Sequence, residues 1–310
     1  MNLQERMKRY ESSYDFTLPI NMPIVIRLDG WHFKSFTKGL KKPFDLIFRE
    51  TMVETMKELC KTIPDIQFAY TQSDEISFII INFDELEKTP WFDNRINKLI
   101  SISSSIASVK FNEILKRKVK EEYDARLNSN DCRDKDLEEY EIYEKKFGQA
   151  YFDARAYVIP KEDIINYLYW REWDGIRNSV QSVGYTYFSQ KELLNKNTND
   201  IIELLKGKGI NWYDYPLWLQ RGVVLFKDSL GKWSEDRNIP IFKKDGRSYV
   251  RERIPILAPY SYLCYRYDEC GVHLSIDDHI YNNKSAAEAR RLNLLEDDPD
   301  WDIKELEKGD

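Results

Sequence analysis

The sequence predicts an α+β fold, with helices packed on an antiparallel sheet, and three observations point to it. Ile24-Val-Ile-Arg-Leu28 is a short apolar, mostly β-branched run closed by Asp29-Gly30, which reads as a strand and its turn. From Pro43 onward Leu46, Ile47, Val53, Met56, Leu59, Cys60 and Ile63 recur at three-to-four spacing until Pro64-Asp65, which reads as an amphipathic helix. Ile66 to Thr71 and Ile76 to Ile81 are two more apolar runs, separated only by Gln72-Ser-Asp-Glu75, which reads as a hairpin. The order β-α-β-β is the first half of the split β-α-β, ferredoxin-like arrangement.

The next elements extend that plan. Ile96, Leu99, Ile100, Ile102, Ile106, Val109 and Phe111 supply the apolar positions of a helix from about Phe92 to Lys116, and a strand near Ala154 to Ile159 completes the unit. Between them, Lys116 to Lys146 is rich in charge of both signs and reads as a projecting, solvated helical insertion, whose Lys116-Arg-Lys-Val-Lys120 start offers contacts to an RNA backbone. A helix around Ile164 to Trp173, a polar turn at Asp174-Gly175 and more helix to about Tyr187 follow. Val223 to Lys227 and Tyr260 to Tyr267 are strand-like. A catalytic body over 1–234 and a C-terminal extension over 235–310 are expected, the acidic end being disordered or a solvated helix.

Composition narrows the class. With 310 residues, 42% hydrophobic and 32% charged, the chain can bury a full core. No apolar stretch reaches the roughly 20 residues that span a membrane. The first ten residues carry charge of both signs and no apolar segment, unlike a secretory signal, so a cytoplasmic location is expected. The net charge of −6 does not exclude a nucleic-acid partner, because Glu296 to Asp310 holds eight acids and two lysines and leaves the rest balanced. Cys60, Cys132, Cys264 and Cys270 form no C-x-x-C unit, and a Cys264/Cys270/His273 metal site matches usual ligand spacings poorly.

The chemistry lies in the strand ends. Asp29 and Asp74 each end or adjoin an apolar strand, and on neighbouring strands they reach one sheet edge, where two carboxylates can clamp divalent ions against a triphosphate. Gly30 lets the backbone approach phosphate, and Glu75 is a further ligand or a structural acceptor. An all-oxygen donor set favours Mg²⁺. Read alone, Asp29 is better explained as a turn residue and His32 as a packed ring, while Lys38, Lys41 and Lys42 lie where phosphate contacts belong.

Arg27-Leu-Asp-Gly-Trp-His-Phe33 with Phe36, Lys42-Pro43, Asp45, Tyr70-Thr-Gln-Ser-Asp-Glu75, Ser77-Phe78, Trp91-Phe92, Arg95, Lys98, Phe152-Asp-Ala-Arg155, Trp170-Arg171 and Asp174 together resemble the tRNA-histidine guanylyltransferase superfamily. The resemblance implies a polymerase-palm fold, two Mg²⁺ held by Asp29, the Gly30 backbone and Asp74, and catalysis by Asp29, Asp74 and Glu75. It implies nucleotide contacts from Asp29, Gly30, Trp31, His32, Phe33, Lys34, Lys42, Ser73, Asp74, Arg95 and Lys98, and RNA contacts from Arg155, Arg171, Arg177 and Asn178. Lys34 stands where the family usually has His. ATP, GTP and other nucleoside triphosphates are the implied substrates, with tRNA as partner and a homotetramer as the assembly. Ile176-Arg-Asn-Ser179 departs from the His-Ile-Asn-Asn run of members that recognise tRNA-histidine, and so resembles the guanylyltransferase-like branch, with templated 3′-to-5′ repair of tRNA 5′ ends. Addition of one G to tRNA-histidine, a palm-fold nucleotide cyclase and a non-catalytic RNA-binding protein are the alternatives.

Overall fold

The architecture is that of a computed structural model, which describes residues 1–83, 88–128, 134–228, 231–244, 246–257, 260–267, 273–281 and 301–307. A first helix, α1 (Leu3–Ser12), precedes β1 (Ile24–Gly30), the one-turn α2 (Phe33–Phe36), α3 (Leu46–Thr62), β2 (Ile66–Gln72) and β3 (Glu75–Ile80). Then come α4 (Ile96–Asn128), α5 (Asp134–Glu144), β4 (Phe152–Val158), α6 (Ile164–Tyr187), α7 (Gln190–Leu193), α8 (Thr198–Gly207), α9 (Leu217–Arg221), β5 (Val223–Lys227), β6 (Trp233–Asp236) and α10 (Gly246–Arg253). The last strands are β7 (Tyr260–Tyr267), β8 (His273–Tyr281) and β9 (Trp301–Glu307).

The β-α-β-β order expected from periodicity is present, and its strands form an antiparallel sheet in the order β4-β1-β3-β2-β5-β6. Both faces of its centre are covered, which is why β1 and β3 read as nearly continuous apolar runs. Ile24, Ile26 and Leu28 face a core shared with Phe48, Met52, Met56 and Leu59 of α3 and Phe111 and Leu115 of α4. Each such side chain, fully buried, contributes about 1.5–3 kcal/mol. Val25 faces the opposite core, with Tyr167 and Leu168 of α6. Ile239, Phe242, Val250 and Ile254, all beyond residue 234, fill that same core. The α3 helix starts where Asp45 accepts the Phe48 amide at 2.9 Å, an N-cap that satisfies one of its free donors.

Three expectations change. The charged segment from Lys116 does not project as a solvated arm. Helix α4 continues to Asn128 with Leu115 and Val119 buried one turn apart, and α5 packs back on it through Tyr123 and Tyr140, centroids 4.6 Å apart. Buried Tyr143 of α5 donates to Asp45 at 2.6 Å, and Arg126 binds Asp136 at 2.8 Å. An apolar edge lies inward, with Asp136 buried against Arg126, while charges such as Lys116, Lys120 and Glu121 lie outward.

The turn expected at Asp174-Gly175 is instead the middle of the 24-residue α6. Glycine costs about 1 kcal/mol in a helix relative to alanine. It is needed here for close approach: a Cβ on Gly175 would stand 3.0 Å from the Tyr70 hydroxyl and from Gln72 Cγ.

Part of the acidic end is a strand rather than a helix or a disordered tail. Trp301 to Glu307 pairs antiparallel with β7 in a second sheet ordered β8-β7-β9. Its Trp301-Asp-Ile-Lys sequence alternates apolar and charged residues, the period of a strand. Residues 282–300 and 308–310 lie outside the described residues, as do Cys132, Cys270 and the side chains of Cys264 and His273. Cys60 is buried in the α3 core, where burial pushes its thiol pKa up. No helix among the described residues is long and apolar enough to cross a membrane.

Candidate active site

Three strand ends meet at one edge of the large sheet. Asp29 lies opposite Glu75 in the β1–β3 register and opposite Asp153 in the β1–β4 register. Ser73 and Asp74 form the two-residue loop between β2 and β3, with Ser73 at φ 59°. The Gly30 amide donates to the Asp74 carbonyl at 3.0 Å, which ties that loop to the end of β1. The sheet thus gathers Asp29, Asp74 and Glu75 as the strand pattern predicts. It adds Asp153, whose Phe152-Asp-Ala-Arg155 segment carried no candidate acid when read as sequence, because only strand pairing shows its neighbour.

These carboxylates repel one another in a partly dry setting. Burial, then the charges of Asp74 and Asp153, raise the Asp29 pKa, against the opposing pull of Arg27 and Arg155. Burial also raises Asp74, countered by hydrogen bonds from the Ser73 hydroxyl and its own amide and by Arg49. Arg49, on α3 and not singled out by sequence reasoning, is itself pulled down to about 10 by burial. Glu75 is raised by burial and held back by Arg171 and Arg27.

Glu75 is the most tightly held acid. Arg171 Nη1 donates to its Oε2 at 2.6 Å, and Arg27 Nε lies 4.0 Å from the same oxygen. The Trp170 ring lies under both guanidinium groups, 3.7 Å from Arg171 and 5.9 Å from Arg27. Arg171 is 7% exposed, so this guanidinium supports Glu75 from within rather than lying open to RNA. Arg155 and Arg177 are exposed, the latter bound to Asp174, and Asn178 is half-buried.

The loop after Asp29 sorts its residues by side. A Cβ on Gly30 would meet the Phe33 ring at 2.4 Å, so only glycine lets the chain fold back here. Phe33 is buried against Phe111 and Phe152, at 5.5 and 5.1 Å between centroids, and anchors the loop instead of facing a nucleotide. Trp31, His32 and Lys34 are exposed, and His32 takes the left-handed conformation at φ 55°. Lys42 is exposed ahead of α3.

Arg95 and Lys98 are not brought to this edge within the chain. Arg95 just precedes α4 and pairs with Asp15 at 3.6 Å, Lys98 lies in the first turn of α4, and Phe111, which reaches the Phe33 loop, lies sixteen residues beyond Arg95. That is about 24 Å of helix.

The donors suit a hard cation. Among the described residues no three acidic, His or Cys side chains already form a closed cage. Mg²⁺ typically takes one or two carboxylates and completes its shell with water and phosphate oxygens, which the Asp29 and Asp74 pair with the Gly30 carbonyl allows. Mutual repulsion between Asp29 and Asp74 is what a bound cation relieves.

The sequence model described as tRNAHis guanylyltransferase (Thg1) matches residues 4–160. An uncharacterized protein of Acanthamoeba polyphaga mimivirus is 32% identical over 234 residues, 72% of this chain and 76% of that protein. A probable tRNA(His) guanylyltransferase of Dictyostelium discoideum is 28% identical over 238 residues, 72% of this chain and 82% of that one. Among solved structures, a bacterial tRNA(His) guanylyltransferase (Thg1)-like protein in complex with ATP superimposes with a TM-score of 0.67 at 38% identity, covering 82% of this chain and 99% of that one. The tRNA(His) guanylyltransferase of Saccharomyces cerevisiae shares the fold, with a TM-score of 0.52 at 21% identity over 74% of this chain and 96% of that one.

Proposed function

The chain belongs to the tRNAHis guanylyltransferase family, and from that premise we propose that it adds nucleotides to the 5′ ends of truncated tRNAs in the 3′-to-5′ direction, using the opposite strand as template. The observation that carries the nucleotidyl-transfer reading is the convergence of Asp29, Asp74 and Glu75 at one sheet edge, with the Asp74 loop hooked to Gly30. Nucleotides as substrates are supported by the likeness to bacterial Thg1-like proteins in complex with ATP and with GTP.

In the proposed sequence, the tRNA 5′ monophosphate is first joined to the nucleoside monophosphate of ATP or GTP, releasing pyrophosphate. The 3′-hydroxyl of the incoming nucleotide then attacks the activated 5′ phosphate, and the activating monophosphate leaves. Asp29 and Asp74, with the Gly30 carbonyl, would hold two Mg²⁺, which when bound supply charge neutralisation at the attacking and leaving oxygens. Arg171 and Arg27 fix Glu75 beside them, and the Phe33 anchor keeps the Gly30 loop in place for phosphate.

Repair over single-G addition is favoured at α6. Ile176 lies in an apolar cluster with Val180 and Leu205, and Ser179 is buried, donating to Leu219 O at 3.0 Å and accepting from Trp212 Nε1 at 3.1 Å. Where tRNA-histidine enzymes carry an imidazole, this chain has a packed hydrocarbon. A cytoplasmic location and a homotetramer belong to the same reading. Helix α1 buries none of its residues within the chain, and exposed Leu3, Met7 and Tyr10 form an apolar face that an assembly would cover.

Extension of a 5′-end-labelled truncated tRNA, compared with full-length tRNAHis, tests the proposal. Templated products on the truncated substrate are expected, and Asp29→Ala and Asp74→Ala each abolish them without loss of folding. A strong preference for full-length tRNAHis would reverse the choice between repair and single-G addition, and full activity in both variants would refute the site.

A further inference from the structure

Two aromatic side chains stand in water at the rim of the acid cluster. Trp31 is 56% exposed and Tyr151 is 52% exposed. Scattered surface aromatics need no explanation. These two are joined: the Trp31 amide donates to the Tyr151 carbonyl at 2.9 Å, and their rings meet at 6.3 Å and 74°. His32 approaches the indole edge-on, at 4.2 Å and 86°. No ring among the described residues stacks parallel on Trp31.

Trp31 and Tyr151 lie just past the ends of β1 and β4, and their backbone hydrogen bond carries the β1–β4 ladder one rung further, so the strand alternation points to the side on which they stand. Gly30 pairs with Phe152 and Asp29 with Asp153, and Phe33 and Phe152 turn into the α3–α4 core. Trp31 and Tyr151, one position beyond the Gly30–Phe152 pair, therefore fall on the side of Asp29 and Asp153. The buried Phe33 anchor and the Trp31–Tyr151 hydrogen bond hold the two residues in place before any ligand arrives. The ligand that suits this setting is flat, has an apolar face, and carries phosphate to carboxylate-held cations and to exposed Arg155. That describes a nucleotide, with its base as the flat face.

We propose that Trp31 and Tyr151 form a stacking platform for a nucleobase beside the Asp29–Asp74 site. The source of that base rests on the nucleotide-addition reading: it is either the unpaired base of the RNA strand opposite the 5′ end or the base of the incoming triphosphate. Stacking on a π-face tolerates any base, which matches an enzyme that takes its sequence from a template rather than from a pocket.

The test uses the full chain with two fluorescent probes: an RNA hairpin with an unpaired 3′ overhang carrying 2-aminopurine, and 2-aminopurine riboside triphosphate. Binding to the wild type quenches at least one probe. Trp31→Ala and Tyr151→Ala weaken binding of that probe about ten-fold or more and remove the quench. Trp31→Phe retains most of both, and Trp173→Ala, at a 54% exposed tryptophan on α6, changes neither. A quench in the RNA arm assigns the overhang base, and one in the triphosphate arm assigns the nucleotide. If neither probe is quenched by the wild type, or if the quench survives both alanine substitutions, the platform is refuted. Quenching without any extension of truncated tRNA would leave the platform standing while the addition reading fell.

Discussion

Glu172 makes the stability of this protein depend on pH near neutrality. It is wholly buried on α6, where its Oε2 accepts the Phe242 amide at 2.7 Å and its Oε1 has no hydrogen-bond partner. Burial pushes its pKa up to about 7, against smaller opposing effects of the Phe242 amide and Arg221. The folded state therefore holds a proton that the unfolded chain releases near its ordinary value of 4.5. Between those values the native state binds more protons, so stability is fully present below about pH 4.5 and falls as pH rises to about 7. A shift of this size corresponds to about 3 kcal/mol lost by pH 8, at about 1.36 kcal/mol per unit. Glu172→Gln keeps an oxygen for Phe242 and removes the titration. It should match the wild type near pH 4.5 and exceed it by about 3 kcal/mol at pH 8, or about 6 °C in Tm at about 2 °C per kcal/mol for a chain of this size. Thermal unfolding followed by circular dichroism from pH 4.5 to 8.5 reads the difference. A Gln variant that is less stable than the wild type at pH 8, or a difference that does not change with pH, refutes the buried-proton argument.

Two further outcomes follow from contacts near the site. Arg171→Met leaves Glu75 without its 2.6 Å partner in a largely buried position and should cost about 3 kcal/mol. Adding Glu75→Gln should recover much of that in urea denaturation, and strictly additive losses would show that the pair is not coupled. Tyr143→Phe removes the 2.6 Å bond to Asp45 and should cost about 1 kcal/mol in the same assay, whereas no change would mean that the α4–α5 arm is mere surface.

Much of the site was legible because strand ends have local signatures. Asp29-Gly30 and Ser73-Asp74 each close an apolar run, and the short β-α-β-β spacing leaves few ways to pair those runs. Strands β5 and β7 are found where their aromatic and β-branched runs place them, Val223–Lys227 and Tyr260–Tyr267. The misreadings share a cause. Asp174-Gly175 looks like a turn because the local pattern omits the Tyr70 and Gln72 side chains that demand a glycine. The Lys116–Lys146 charges look like a solvated arm because their number hides the inward edge of Val119 and Tyr143.

Periodicity and turn chemistry, which act over a few residues, were enough to assign an α+β sheet protein with acids at its strand ends. Which acids face one another is a matter of register, and register is set by packing across the whole sheet. Only the folded chain places Asp153 opposite Asp29, buries Arg171 on Glu75 and turns Phe33 inward. It also leaves Arg95 and Lys98 far from that edge, because the length of α4 separates residues that a linear motif reads together.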